Sequence, residues 1–384
     1  MLQELSMVMV NKRATRIAVS ALFFLTGLCF SSWASRIPDI QQALKLNDAG
    51  LGSVLLALPV GSIISLPIAG ILVSKFSSRQ VLLIAAVAYA AVLPVLGLAQ
   101  TSWELSIFLV FFGFCGNLAN IAVNTQAVGV EAMYGRSIMA SFHGLWSVAG
   151  FTGAAFGTWM TGLHLAPVYH FLIITGVAWT LVLVTMNKLV PRVPNENNAP
   201  SLFGKPDVFL FTLGIIAMCS MICEGTMFDW SGVYFRRVLQ VREGWSGSGY
   251  AAFMSTMASG RFVADYLTTR FGVKKMLLIS GTLTAIGLMV AVIFPYFLPA
   301  SLGFMLVGAG VSAVVPLVYS AAGRSTIMPP GMALATVSTI GYLGFLFGPP
   351  LIGFVAQATN LGVAFTMIAV MGAAIAIMSS RIKV

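Results

Sequence analysis

Two acidic residues lie inside a long apolar stretch near the middle of the chain. Glu224 and Asp229 both fall within Met218–Tyr234, a stretch that offers no obvious reason for charge. If it crosses a membrane, an acid inside it is costly and indicates a functional site. A carboxylate in a low-dielectric environment favours its neutral form, because desolvation disfavours the charge. We therefore predict that Glu224 binds and releases a proton; the alternative is a glutamate held in a structural hydrogen bond or salt bridge.

Neutral polar side chains form a second group of candidates. Asn117, Asn120 and Asn124 are spaced i, i+3, i+7, which places them on one helix face, and buried amides need partners. Amides pair with hydroxyls and aromatic rings cover the apolar face of a sugar, so we predict a solute-binding set that adds Trp146, Ser147, Tyr319 and Tyr342. His143 is a candidate second proton site. The alternative for all of them is packing between helices, which is common for Asn, Ser and His in membranes.

The composition indicates what kind of element holds these residues. Of 384 residues, 58% are hydrophobic and 8% are charged, whereas about 25% are charged in a soluble protein. Recurring apolar runs of about 20 residues are typical of a polytopic helical membrane protein. The net charge of +10 comes from short loops rather than from a block long enough to bind nucleic acid. The four cysteines lie in apolar runs without metal-ligand spacing, so we expect no disulfide, metal or cofactor.

Twelve apolar stretches predict an all-α membrane protein with twelve transmembrane helices. The polar segment 191–206 is too polar to span and separates an N-terminal six-helix bundle, 1–190, from a C-terminal six-helix bundle, 207–384. With both termini in the cytoplasm, five of the 21 Lys and Arg residues face outside and Arg261 lies in a span, which fits the positive-inside rule. The predicted spans lie near 17–37, 49–73, 80–100, 104–130, 138–162, 167–189, 207–235, 246–269, 275–295, 299–323, 332–357 and 361–380.

The two halves repeat with a constant shift of 195 residues. The shift lays Phe76–Leu83 on Phe271–Leu278, and it makes Tyr319 and Tyr342 the counterparts of Asn124 and Ser147. Two six-helix halves in parallel repeat predict a transporter whose solute site lies near the middle of the membrane, between the halves. The same shift pairs Gly52, Gly113 and Gly153 with Gly247, Gly308 and Gly348.

The chain resembles the major facilitator superfamily over essentially its whole length. The junction between spans 8 and 9 carries a set similar to that family's loop signature: Gly260, Arg261, Asp265, Arg270, Phe271, Gly272, Lys274 and Lys275. In the equivalent loop of the first half, Ser74 stands where the family usually has an acid. Trp33–Pro38 and Asp229–Tyr234, together with Glu224, resemble the YbjJ-type bacterial inner-membrane transporters near the fucose-permease group.

Two departures from the resembled family count against drug/proton antiport. Such antiporters usually carry an arginine in span 4 before a Gly-x-x-Gly step, and Val110–Gly116 has none. They also carry a Gly-Pro motif in span 5, where this chain has Gly150, Gly153 and Gly157 but no proline.

The resemblance also suggests gating residues, because spans 1 and 7 approach each other on the outer side in that family. A helix rising 1.5 Å per residue from residue 207 puts Glu224 roughly 25 Å up a ~30 Å core, with Asp229 near the outer boundary at the height of Arg36. We expect Arg36 and Asp229 to form part of an outer gate; the alternative is that both are solvated helix ends. Arg261 is expected to pair with Asp265, four residues on, as a latch, with Glu224 too high to reach it.

These observations predict a secondary active transporter that works by alternating access in the bacterial inner membrane. It would move a small polar solute, with a sugar-like one as an option, and it would be proton-coupled through Glu224. The expected partners are the solute, protons and membrane lipid, with no nucleic acid and a monomeric state, and no enzyme signature is present. The alternatives are proton-coupled efflux of drugs or metabolites, and a non-transporting membrane receptor with a transporter fold.

Overall fold

The computed structural model describes residues 11–135, 138–191, 208–322 and 330–382, so the predicted linker falls outside the described residues except at Pro191. The described chain is helical. The helices before the linker are α1 (Lys12–Ser35), α2 (Ile37–Ala43), α3 (Asp48–Leu55), α4 (Ala57–Phe76), α5 (Ser78–Leu96), α6 (Ser102–Tyr134), α7 (Met139–Gly162) and α8 (Pro167–Thr185). Those after it are α9 (Val208–Arg237), α10 (Ser248–Phe271), α11 (Val273–Ile293), α12 (Phe297–Val311), α13 (Val314–Ala322), α14 (Pro330–Ala358) and α15 (Leu361–Arg381).

Ten helical stretches of the described chain are long and apolar enough to cross a membrane. Two of the predicted spans, 138–162 and 246–269, are not among these ten. They correspond to α7 and α10, which are 24 residues each. Both contain interruptions of their apolar character, such as His143 in α7 and Arg261 in α10. Residues of this kind lower the mean hydropathy of a helix and are candidates for functional roles when they lie in a membrane.

The chain divides into two compact units, and each has its own internal packing. The first comprises Met1–Ile40 and Ala57–Glu196, and the second comprises Gln41–Leu56 and Asn197–Val384. Inside the first unit α1 packs on α7 and α8, α6 packs on α4 and α5, and α5 packs on α8. Inside the second unit α9 packs on α14 and α15, α12 packs on α10 and α11, and α11 packs on α15. The second set of pairs is the first set repeated, helix for helix.

The repeat extends to single contacts between backbones. A Cβ added at Gly113 on α6 would clash with the carbonyl oxygen of Leu58, and one added at Gly308 on α12 would clash with that of Phe253. The two glycines are 195 residues apart in the sequence, and so are the two carbonyl groups. Small residues allow membrane helices to approach this closely. Each unit therefore uses a glycine at the same place in its fold.

Segment 41–56 belongs to the second unit, although the division drawn from the sequence put it in the first. Helix α3 packs on α14, where a Cβ at Gly52 would lie only 2.7 Å from the carbonyl oxygen of Pro349. Asp48 is 5% exposed and forms a salt bridge with Arg237 at the end of α9. The division drawn from the sequence grouped this segment with its neighbours along the chain. In the structure, the close contact at Gly52 attaches it to α14, and the salt bridge of Asp48 attaches it to α9.

Candidate functional site

A salt bridge inside the second unit joins Glu224 to Arg261. Glu224 lies on α9 and is 7% exposed. Nη2 of Arg261, on the neighbouring α10, lies 3.4 Å from its Oε1. A carboxylate and a guanidinium in contact stabilise each other's charged form, which offsets part of the cost of removing both from water. The salt bridge that the sequence left open as an alternative for Glu224 is therefore present.

This contact corrects the expectation that Glu224 lies too high to reach Arg261. Helix α9 has 30 residues, which is roughly 45 Å and exceeds a ~30 Å core. The helix therefore extends beyond the core, and a depth counted from its first residue includes any part that lies outside the core. Counted from the other end, Glu224 lies thirteen residues before Arg237, and Arg261 lies thirteen residues after Ser248. The two residues stand at the same distance from the loop that joins their helices.

The other predicted partner of Arg261 is Asp265, one helical turn further along α10. The side chain of Asp265 lies outside what the structure describes, so this pairing stays a prediction.

Three tyrosines lie within electrostatic range of the Glu224 carboxylate: Tyr250 on α10, Tyr319 on α13 and Tyr342 on α14. Tyr319 is half-buried and lies near Ser338, and Tyr342 is 43% exposed and lies beside Phe345. The sequence predicted Tyr319 and Tyr342 as site residues. The structure brings both into the same unit as the charged pair, on the helices that pack against α9.

Tyr250 is a site residue that the sequence reasoning missed. Its side chain is 1% exposed, its ring packs edge-on against Phe228 at 5.9 Å, and its hydroxyl has no hydrogen-bond partner among the described residues. The carboxylates of Glu224 and Asp229 are both within electrostatic range of this hydroxyl. The sequence does contain a signal for Tyr250. It is a polar aromatic residue near the start of α10, and the preceding helix, α9, carries the two acids Glu224 and Asp229.

Asp229 lies five residues beyond Glu224 on α9 and is half-buried. Within the described chain it has no ion-pair or hydrogen-bond partner, in contrast to Glu224. It lies eight positions before the end of the helix at Arg237. An acid placed in this way remains a functional candidate.

Arg36 is not a solvated helix end. It follows α1, is 2% exposed, and its Nε lies 2.8 Å from Oδ2 of Asp39. It also donates a hydrogen bond to the carbonyl oxygen of Leu165 in the same unit. Thr161 on α7 donates to the same Asp39 carboxylate over 3.2 Å. Arg36 thus connects α1 to the chain around α7 within the first unit, and its predicted pairing with Asp229 stays a prediction.

The predicted asparagine face of α6 is engaged in hydrogen bonds inside the first unit. Nδ2 of Asn117 donates to the carbonyl oxygen of Ser62 over 3.0 Å and to the hydroxyl of Ser65 over 2.7 Å. Nδ2 of Asn124 donates to the backbone and side-chain oxygens of Asn120, over 2.8 and 3.1 Å. Asn117 therefore joins α6 to α4, as expected of packing between helices, while Asn120 and Asn124 are half-buried.

The candidates on α7 have different environments. His143 is exposed and meets the ring of Phe23 edge-on, with centroids 5.3 Å apart. Trp146 is half-buried beside Phe30, at 6.1 Å between centroids. Ser147 is fully buried, and its hydroxyl donates to the carbonyl oxygen of His143. In the described residues, no group of three His, Cys, Asp or Glu side chains is placed to hold a metal ion.

Comparison with known proteins agrees with the helical architecture. The sequence profile of the Major Facilitator Superfamily matches residues 19–326 and 243–382. An uncharacterised MFS-type transporter of Yersinia pestis is 37% identical over 358 residues, which cover 93% of this chain and 92% of that relative. An uncharacterised transporter of Sinorhizobium fredii is 34% identical over 370 residues, which cover 95% and 97%.

A solved structure shows a similar fold at low sequence identity. The crystal structure of the nucleoside transporter NupG has a TM-score of 0.74 and 16% sequence identity, covering 96% of this chain and 100% of that one. At this identity the likeness concerns the fold and leaves the solute open.

Proposed function

Since the chain belongs to the Major Facilitator Superfamily and is a multi-pass membrane transporter, we propose that it moves a small polar solute across a bacterial inner membrane and couples this movement to protons through Glu224. Transport proceeds by alternating access, the mode of folds built from two six-helix repeats. A sugar-like solute is one member of this class. The protein acts as a monomer, with membrane lipid around it.

The observation that carries the proposal is the burial of Glu224 next to Arg261. The carboxylate is 7% exposed on a helix of apolar composition, and the guanidinium lies 3.4 Å away. An ionisable residue inside a membrane helix is retained at a cost, and such residues mark ion and proton pathways. A carboxylate that is stabilised by one movable cation changes its proton affinity when that cation moves. A conformational change that alters the 3.4 Å contact therefore loads or unloads a proton.

The remaining roles follow from position. Tyr319 and Tyr342 are the solute contacts of the second unit, since they share the surroundings of Glu224. The proposed solute contacts of the first unit are Asn117, Asn120, Asn124, Trp146 and Ser147, with His143 as a second proton site. The proposed gating residues are Arg36, Asp229, Arg261 and Asp265.

Proton movement in proteoliposomes tests the proposal. A thermal-shift screen of polar metabolites on the purified protein first finds a solute that raises its apparent stability, because a ligand of the native state does so. The protein is then reconstituted with a pH-sensitive dye inside the vesicles. We expect an inward gradient of that solute to acidify or alkalinise the lumen. Binding without any solute or proton flux would instead indicate a non-transporting receptor.

A further inference from the structure

Asp229 is the accessible point on a stretch of α9 that is otherwise enclosed. Among residues 219–235, all of which the structure describes, Asp229 alone is not buried. Its carboxylate has no hydrogen-bond or ion-pair partner within the described residues, whereas Glu224 is enclosed and contacts Arg261. An acid inside a membrane helix is retained at a cost. Because Asp229 is accessible and unpaired, it is the acid of α9 that is free to exchange protons with its surroundings.

The two acids of α9 lie on different sides of the helix. Glu224 and Asp229 are five residues apart, which separates them by roughly 7.5 Å along the helix axis and roughly 140° around it. Side chains that face one another on a helix are three or four residues apart. A proton that enters at Asp229 therefore needs a further group, from a neighbouring helix, to reach Glu224.

Tyr250 on α10 is such a group. Its hydroxyl lies within electrostatic range of both carboxylates, and Asp229 has the larger influence on it. The side chain is 1% exposed, and the hydroxyl has no hydrogen-bond partner among the described residues. A hydroxyl both donates and accepts hydrogen bonds, which is the property that a relay between two acids requires.

A buried hydroxyl without a partner is uncommon and needs an explanation. Tyr234 on α9 gives a comparison in the same unit, because it is also 1% exposed but its hydroxyl donates to the carbonyl oxygen of Ala291 over 2.8 Å. Burial of an unsatisfied hydroxyl costs stability, and a phenylalanine would avoid this cost. Packing alone therefore does not account for a tyrosine at position 250.

We infer that Tyr250 passes protons between Asp229 and Glu224, so that Asp229 is the acid through which Glu224 is loaded and unloaded. This inference rests on the proposed function and adds the route of its proton. In one transfer, the O–H bond of protonated Asp229 breaks and its proton goes to the Tyr250 oxygen. The hydroxyl gives its own proton to Glu224, where a new O–H bond forms. Tyr250 ends neutral, Asp229 ends as a carboxylate, and the number of protons is unchanged.

The route starts near the loop that joins α9 and α10. Asp229 lies eight positions before the end of α9 at Arg237, Glu224 lies thirteen positions before it, and Tyr250 is the third residue of α10. The proton therefore moves from the side of this loop towards the middle of the two helices. In the described chain neither acid hydrogen-bonds to the Tyr250 hydroxyl, so each transfer uses a bridging water molecule or a rotation of the acid side chain.

Other titratable and charged groups surround this route. Glu224 lies within electrostatic range of Arg261, Tyr319 and Tyr342. Of the helices packed on α9 and α10, α12 carries no titratable residue, α11 carries Lys274 and Lys275, and α15 carries Arg381. The further groups of α9, α10 and their loop are Cys219, Cys223, Tyr234, Arg236, Arg237, Arg242, Glu243, Asp265, Tyr266 and Arg270. Of the three tyrosines near Glu224, Tyr250 is the one that also lies within range of Asp229.

The rate at which Glu224 takes up a proton tests the inference without a solute. A caged proton, 2-nitrobenzaldehyde, is photolysed in the presence of the purified full-length protein in micelles. The pH drops from about 8 to about 5.5, a range in which buried carboxyl groups take up protons. Time-resolved infrared absorption follows the C=O bands of protonated carboxyl groups. The band of Glu224 is the one missing in Glu224→Gln, and that of Asp229 is the one missing in Asp229→Asn.

We expect the Asp229 band to appear before the Glu224 band in the unmodified protein. Tyr250→Phe keeps the ring against Phe228 and removes only the hydroxyl, so it should leave the Asp229 band unchanged. The same variant should slow the Glu224 band by about 100-fold, as for the loss of a positioned acid–base group. Asp229→Asn should slow the Glu224 band to a similar extent, and Asp229→Glu should restore its rate.

Tyr234→Phe is the matched control, because it removes a hydroxyl of equal burial that has a partner. It should lower the Tm and leave both bands at their unmodified rates. Tyr250→Phe should keep or raise the Tm, since its hydroxyl is unsatisfied. Slow protonation of Glu224 in Tyr250→Phe would then not result from unfolding.

Three results would overturn the inference: a Glu224 band at the unmodified rate in Tyr250→Phe, the same in folded Asp229→Asn, or equal slowing by Tyr250→Phe and Tyr234→Phe. In each case Glu224 still takes up a proton, so the proposed function stands and the route is wrong. If no band disappears in Glu224→Gln, Glu224 binds no proton, and both the route and the proposed proton coupling are wrong. Tyr250→Phe carries the test by itself if Asp229→Asn does not fold.

Discussion

Glu224 and Arg261 meet across two neighbouring helices at equal distances from the loop that connects those helices. Their 3.4 Å contact is the one described charged pair in which both residues lie well inside long helices. The described ion pairs of Arg36, Arg236 and Arg237 involve residues at or beyond helix ends. Their position inside two long helices, rather than the presence of charge, distinguishes this pair from the other described ion pairs.

The energetic coupling of this pair should be large. Removal of one partner leaves a buried charge uncompensated, so Arg261→Met should lower the free energy of unfolding by about 3–5 kcal/mol. The double variant Glu224→Met/Arg261→Met should cost much less than the sum of the two single variants. Equilibrium unfolding in mixed micelles gives the free energy of unfolding of the two single variants and of the double variant.

The pair Arg236–Glu243 serves as the control for that cycle. Its atoms are closer, at 2.7 Å, but Glu243 is 51% exposed. Exposed pairs contribute about 0–1 kcal/mol, so the same cycle there should give a small coupling energy. Equal coupling energies for the two pairs would contradict the assignment of the Glu224–Arg261 pair to a low-dielectric site.

The glycines at the repeated contact should tolerate no larger side chain. Gly113→Ala and Gly308→Ala each place a methyl group against a carbonyl oxygen of the neighbouring helix, and we expect a loss of about 1–3 kcal/mol from overpacking. Gly176 on α8 is exposed with nothing within 4 Å of an added Cβ. Gly176→Ala should therefore be neutral or stabilise by about 0.5–1 kcal/mol. If thermal unfolding showed that Gly176→Ala destabilises the protein as much as Gly113→Ala and Gly308→Ala, the close contacts at Gly113 and Gly308 would be contradicted.

Gln126 is predicted to be a structural residue of the first unit. It is fully buried, donates to the Ser78 hydroxyl and the Val190 carbonyl oxygen, and accepts from the Val190 amide. Gln126→Leu removes three hydrogen bonds and leaves buried partners unsatisfied, which should cost about 2–4 kcal/mol. The exposed Gln100→Leu is the matched control and should change stability by less than about 0.5 kcal/mol. A Gln126 variant that unfolds at the control's temperature would refute this role.

The attachment of α3 to the second unit can be tested by chemical labelling. Val54 on α3 is 5% exposed, so a cysteine there, in a background without the four native cysteines, should react slowly with a membrane-impermeant maleimide. Arg237→Gln removes the salt bridge to Asp48 and should increase the labelling rate. Arg242→Gln, which changes an exposed arginine five residues further on, should leave the rate unchanged. Equal rates in both variants would show that the salt bridge does not hold α3.

The sequence predicted the helical class and the repeat because both depend on patterns along the chain. The shift of 195 residues anticipated that Gly113 and Gly308 occupy equivalent positions, and both meet the carbonyl group of an equivalent residue. The apolar runs predicted the positions of the long helices because these runs are also visible along the chain. Hydropathy selects ten of the described helices as spans and omits α7 and α10, because polar residues lower the mean hydropathy of these two helices.

The contacts between distant segments were harder to predict. The sequence put Glu224 out of reach of Arg261, whereas the structure shows Glu224 from the adjacent helix beside it. A count from the shared loop would have revealed their equal depth. The expected i,i+4 pairing of Arg261 with Asp265 stays a prediction. Nothing in the local pattern around Gln126 signals its environment, since its partners Ser78 and Val190 are 48 and 64 residues away in the sequence.

The coupling of solute to protons is tested most directly by Glu224→Gln in proteoliposomes, with Glu104→Gln as the exposed control. The account predicts that solute-driven proton movement is abolished in Glu224→Gln while exchange of labelled for unlabelled solute continues, because a glutamine keeps the shape of the site but carries no exchangeable acid. The Glu104→Gln control should couple normally. Proton movement in Glu224→Gln at the rate of the unmodified protein would contradict the central claim.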